Sequence, residues 1–223
     1  MSKRFGQVLL SCCLGAFGAA GALHANAITL FNTGVDASGV DLVGANVTDP
    51  HYTILSGPGL GGATSAVTFN CCYFADGPSS RWISVNSSGS TASSGTYDFQ
   101  LTFSLSGLNP ATAQITGQFA ADNHITATKI NGTTVAGATT DTFGAFTSFS
   151  INSGFVSGTN TLDFLVLDDG APMALRVNAL AGTANPLVGG VPEPSTWLTL
   201  GAGLLAVMSM LWLRDRAATP RVR

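Results

Sequence analysis

Residues Thr96 to Ser106 read "TYDFQLTFSLS". Tyr97, Phe99, Leu101, Phe103 and Leu105 fall on one side of an extended chain; Asp98, Gln100, Thr102 and Ser104 fall on the other. Strand side chains alternate with a period of two, so the stretch predicts an antiparallel strand with one face in a core and one toward water. A helix would scatter the same five apolar groups around its circumference.

The flanking sequence extends the pattern. "LNPAT" (108–112) reads as a turn, with Pro110 fixing its own φ. Ala113, Ile115, Gly117 and Phe119 then alternate with Gln114, Thr116 and Gln118. Asn131-Gly132 between two β-rich runs predicts a hairpin, because both central residues of a type I′ turn need positive φ. Further strands are expected at 145–151, 161–167 and 174–181, with Phe149/Ile151, Leu162/Phe164/Val166 and Leu175/Val177/Ala179 facing inward. Weaker candidates lie at 28–32, 40–44, 52–55, 66–70 and 81–85. Residues 56–65 and 86–95 have little to bury and read as loops. Roughly nine or ten short strands and no helical period predict an all-β fold, an antiparallel β-sandwich over 28–185.

The 223-residue chain carries only 9% charged residues, against about 25% in ordinary soluble domains. Its ends look like targeting segments. Lys3 and Arg4 precede an apolar stretch from Val8 to Leu23, and Ala25-Asn26-Ala27 forms an A-x-A triplet. Residues 1–27 therefore read as a secretory signal peptide with cleavage before Ile28. The apolar run ahead of Cys12 is too short for a lipidation signal. Between Ile28 and Gly190, Arg81, Lys129 and Arg176 face ten aspartates, a net charge of −7, and there is no glutamate. Such a surface repels polyanions and excludes nucleic acid as a partner.

Chemistry-bearing residues are sparse. Of the four cysteines, Cys12 and Cys13 lie in the signal; Cys71 and Cys72 are adjacent, leaving open a strained vicinal disulfide, buried thiols or pairing between chains. His51 and His124 are the only histidines of the body, and no G-x-S-x-G accompanies them, so both read as structural. The expectation is a non-enzyme without a cofactor. A structural calcium site at Asp168 and Asp169, joined by Asp122, is the sharper idea, since hard cations want clustered oxygens. Trp82 and Tyr73, with Phe74 and Tyr52, are candidates for a sugar-stacking platform; the bland reading of Trp82 is core.

The segments "ADNHITATKINGTTV" (121–135), "FGAFTSFSI" (143–151) and "GFVSGTNTLDFLVLDDGAPMALRV" (154–177) resemble galactose-binding-domain-like jelly rolls. The matching positions are Ala127, Asn131, Gly132, Gly158, Asn160, Leu162 and Phe164. The resemblance implies a jelly-roll-like scaffold and leaves sugar binding open.

The tail, 186–223, holds Pro192-Glu193-Pro194, then seventeen uncharged residues from Trp197 to Leu213, then a basic end at 214–223 with Arg214 and Arg216. As a helix the uncharged run spans roughly 25 Å, just short of a hydrocarbon core of about 30 Å. Tryptophans near both ends and arginines beyond predict a transmembrane helix with a cytoplasmic C-terminus. The order of motif, span and basic end is similar to the PEP-CTERM sorting signal of Gram-negative bacteria. That resemblance implies processing by exosortase, a membrane cysteine protease. It also implies delivery of the body to the cell surface or exopolysaccharide matrix, in a structural or adhesive role. A carbohydrate-binding module attaching to exopolysaccharide is the alternative, and a secreted hydrolase the least favoured.

Overall fold

A computed structural model describes residues 24–70, 72–90, 93–187 and 194–218, with side chains of the last segment over 198–214. The expected signal peptide through Leu23, Cys71, Pro192, Glu193 and the side chains of Pro194 and Arg216 lie outside the described residues. The chain divides into a body, Leu23–Leu187, and its terminal segments.

The body is antiparallel β throughout. Its strands are β1 Asn26–Ile28, β2 Thr48–Ser56, β3 Thr64–Thr68, β4 Ile83–Ser84, β5 Gly95–Ser104, β6 Gln114–Asp122, β7 His124–Ile130, β8 Thr133–Thr134, β9 Thr147–Ile151, β10 Thr159–Asp168 and β11 Ala174–Ala184. They form a single sheet in the order β8-β7-β10-β5-β2-β3-β4-β11-β6-β9, with β1 paired to β11. The sheet is sandwich-like because it curls until its two arms face each other. Phe119 of β6 stacks on Phe149 of β9 at 4.7 Å, and both meet Phe164 of β10 edge-on, at 6.2 and 6.0 Å. β10 is far from the adjacent pair β6 and β9 in sheet order, so its contact with them closes the core.

β5 is the strand the alternation predicts. Tyr97, Phe99, Leu101 and Phe103 are buried, and Leu105 continues the row just beyond its end. It pairs with β10 along its whole length, from Gly95↔Asp168 to Ser104↔Thr159. Asn131 and Gly132 have φ of 49° and 79°, the positive pair that the hairpin requires. The second arm, β8, is only two residues long.

Three expectations are corrected. The strand expected at 28–32 lies instead at Asn26–Ile28 and stops where the expected one begins. Ala179 is exposed and has φ 50°, because a bulge between Asn178 and Ala181 adds a residue to β11 and reverses its phase; Leu180 takes the inward place. Residues 40–44 form no strand: Asp41 makes one isolated bridge to Val35, and Val40 and Val43 are exposed.

Asn131 and Asn160 lock the hairpin to β10. Asn131 accepts from the Thr161 amide at 2.9 Å and donates to the Gly154 carbonyl and to Asn160 Oδ1, both at 2.8 Å. Asn160 is fully buried, accepts from Val156 N, and donates to the Val156 and Gly158 carbonyls. Asn160→Ala strands several polar groups at once and is expected to cost about 2 kcal/mol, read as a lower denaturant midpoint at unchanged m-value.

The tail forms α1, Pro194–Ala218. Its large side chains from Leu198 to Leu213 are exposed, and it is apolar on all sides rather than along one stripe. Among the described residues no helix is long and apolar enough to cross a membrane. The uncharged run is short for a span, and Thr199, Gly201, Gly203 and Ser209 dilute its apolar character.

Candidate functional site

The expected site residues of the body meet on the outer face of the sheet, where β6 and β11 pair. In that ladder Ala120 lies opposite Arg176, and Ala174 opposite Asp122. The alanines leave space above the sheet, and aromatic groups from the chain around β4 fill it. Phe69, Trp82, Ala120 and Ala174 form a second buried cluster, against which Tyr73, Phe74 and Phe146 pack. Trp82 is 2% exposed; its indole donates to the Phe74 carbonyl at 3.1 Å and its amide to Asp76 Oδ1 at 3.0 Å. The indole is therefore core rather than an open stacking surface. Tyr52 also lies in the main core, with its hydroxyl donating to the Phe31 carbonyl.

Arg176 pins this layer down. Its guanidinium carbon lies 5.0 Å from the Phe74 ring centre and 5.1 Å from that of Phe146. Nε donates to Ser80 Oγ at 3.0 Å and Nη1 to the Ala75 carbonyl at 2.8 Å. Burial lowers its pKa, with the Asp76 charge opposing. A charge between two rings with fork-shaped donors satisfied is a geometry arginine supplies and lysine does not. Arg81 closes the same loop from outside, bonded to both Asp41 and Asp76.

Tyr73 joins the aromatic layer to the acidic turns. Its ring lies 4.5 Å from Trp82 and 5.5 Å from Phe143, which is 47% exposed. Its hydroxyl donates to Asp122 Oδ2 at 2.5 Å, with the Pro172 carbonyl 3.1 Å away. Burial pushes the phenol well above its ordinary range, and the bond to Asp122 adds to that. Asp122 is raised by burial and by Asp168, against the Tyr73 bond and His124. Thus Tyr73, Trp82, Asp122 and Asp168 form one neighbourhood. Asp169 is turned away within it. Its carboxylate lies 3.3 Å from His124 Nε2, and its amide donates to Asn123 Oδ1 at 2.6 Å. Asp168 accepts from the Gly170 amide, shaping the turn. Among the described residues no three His, Cys, Asp or Glu side chains are grouped to hold a metal.

Two further positions bear on chemistry. His51 stacks on Phe31 at 3.6 Å, with Nε2 3.0 Å from the Asp36 carbonyl, a structural environment. Cys72 is in a disulfide; the other three cysteines lie outside the described residues. Elsewhere, the two loops at 56–65 and 86–95 meet in a cleft of about 330 Å³ beside Tyr97, whose hydroxyl ties them by donating toward the Pro58 and Ser93 carbonyls. Phe143, Phe146 and Arg176 are the site residues that sequence reasoning passed over. Only the aromatic spacing of "TFGAF" hinted at the first two.

Buried carboxylates give the body a pH signature. Asp49, Asp98 and Asp122 all lie above the ordinary aspartate value of 3.8, with burial the leading cause. Between that value and their folded values the native body holds more protons than the unfolded chain, so stability falls as pH rises through that window. Melting just above about pH 4, at the lower end of that window, is therefore expected above melting at pH 7. Relief of the net negative charge acts in the same direction.

No protein-family model matches this chain, and no curated protein matches it.

Proposed function

We propose that this chain is an exported cell-surface or extracellular-matrix protein, delivered by a PEP-CTERM-type tail that exosortase reads. One observation carries the proposal: the tail is a helix from Pro194 to Ala218, immediately after Pro192-Glu193, whose large side chains from Leu198 to Leu213 are exposed and apolar on every side ahead of Arg214. A soluble domain has no use for such a surface; a lipid-directed sorting handle does. The prolines favour extended chain ahead of the helix, where a protease needs open backbone. The body, a jelly-roll-like sandwich in this reading, is non-enzymatic and structural or adhesive. The buried polar groups of Asn160 and Arg176 are spent on turns and loop anchors. Deleting exosortase from the producing cell is expected to leave precursor in the membrane fraction and none in the matrix. Unchanged release would refute the sorting role.

A second reading is favoured by one feature. Phe143 is half exposed beside the ring of Tyr73, whose hydroxyl donates to the Asp122 carboxylate. In this reading the body attaches to exopolysaccharide. Phe143→Ala is then expected to weaken retention in polysaccharide affinity gels roughly tenfold at unchanged melting temperature, the loss of a stacking contact of about 1–1.5 kcal/mol. Equal migration of both proteins with and without polysaccharide would remove this reading.

A further inference from the structure

The sheet ends at β8 on one side and at β9 on the other. The two edges are finished differently. β8 is two residues long, and the chain that follows it bonds back onto β7. Val135 N donates to the Thr128 carbonyl at 2.8 Å, and Ile125 and Thr140 exchange both backbone bonds, at 2.8 and 3.2 Å. β9 pairs with β6 over its whole length, from Thr147↔Phe119 to Ile151↔Ile115, with no register shift. Among the described residues no hydrogen bond joins its other edge to a further strand or loop. Successive residues of a strand aim their N–H and C=O groups to opposite sides, so β9 presents a row of backbone donors and acceptors to water.

Such edges are ordinarily blunted by charge, proline or a bulge. β9 has none of these: its pairing is unbroken, and no charged residue or proline occurs from Thr142 to Leu162. Ser148 and Ser150 are exposed on its outer face, while Phe149 and Ile151 are buried on the inner one. That pattern reads the same in both directions. With an identical strand laid antiparallel across a two-fold axis at Phe149, Thr147 meets Ile151, Ser148 meets Ser150, and Phe149 meets its own copy. Inward groups then continue the core row, and hydroxyls continue the outer face. Charge points to the same place. The body from 28 to 190 carries −7, so two copies repel except where neither bears charge.

We propose that β9 is a self-association edge, through which two copies of this chain join their sheets by antiparallel β9–β9 pairing. The contact is isologous and closes as a dimer. A five-residue strand makes a small interface, so association depends on concentration. The proposal stands on the fold of the body and does not require the export reading.

The test is sedimentation of the full chain in detergent over a range of concentrations, with two double variants at the exposed serines. The parent is expected to pass from one chain to two as concentration rises. Ser148→Lys with Ser150→Lys sets ammonium against ammonium across the axis; Ser148→Asp with Ser150→Asp sets carboxylate against carboxylate. Each variant alone is expected to lose the dimer while melting as the parent does. Mixed in equal amounts they are expected to regain it, because opposite charges then face each other. A parent that sediments as one chain throughout, a dimer that survives in either double variant, or a mixture that stays monomeric overturns the proposal.

Discussion

Phe164→Ala is expected to cost about 4 kcal/mol, the range for truncating a fully buried phenylalanine. Phe164 is inaccessible and is the point where β10 meets the opposite arm of the curled sheet, through the stacked rings of Phe119 and Phe149. Removing its ring takes away contacts on both arms and leaves a void that neither can close without breaking ladder pairing, since β10 is held by β5 on one side and β7 on the other. For a body of this size the loss corresponds to a fall in melting temperature of about 8–16 °C. Phe164→Leu keeps most of the volume and should lose much less. If both variants lose the same small amount, the two arms are not packed through this residue.

Arg176→Ala is expected to cost about 3 kcal/mol and to loosen the layer over β6 and β11. The substitution removes two ring contacts and two charge-assisted hydrogen bonds, to Ser80 and to the Ala75 carbonyl. Trypsin reports the local effect. Arg81 is held against Asp41 and Asp76, with its side chain 13% exposed, on the chain that Arg176 anchors. Cleavage after Arg81 should therefore quicken in the variant well before global unfolding. Arg176→Lys should behave more like Ala than like Arg, because an ammonium cannot fill the fork geometry between the rings. Parent-like cleavage in Arg176→Ala would contradict the anchoring role.

These residues also show where sequence is readable and where it is not. The row from Tyr97 to Leu105 is legible because strand periodicity is local and β5 runs straight. Asn131-Gly132 is legible because its turn needs a backbone conformation few residue types adopt. Ala179 was not, because a bulge shifts the phase of β11 and no residue type announces it. The outer-face site was half legible. Tyr73, Trp82 and Asp122 each stand out by type, but Tyr73 and Asp122 meet across 49 residues. Their meeting depends on the register that sets Ala120 and Ala174 beneath the aromatic layer. Arg176 reads in sequence as one more strand residue; only the three-dimensional arrangement puts two rings around it. The tail is the opposite case, since its order of motif, apolar run and basic end is linear and needs no tertiary partner to be read.

The central claim, a compact β body carried outward and then freed from its sorting tail, is tested most directly by the intact mass of protein recovered from the outside of the producing cell. The account predicts a single species that lacks the N-terminal leader and stops near Pro192–Pro194, without the apolar helix and its arginines. A 223-residue chain with both ends in place, found in the cytosol and absent from the surface, would contradict it.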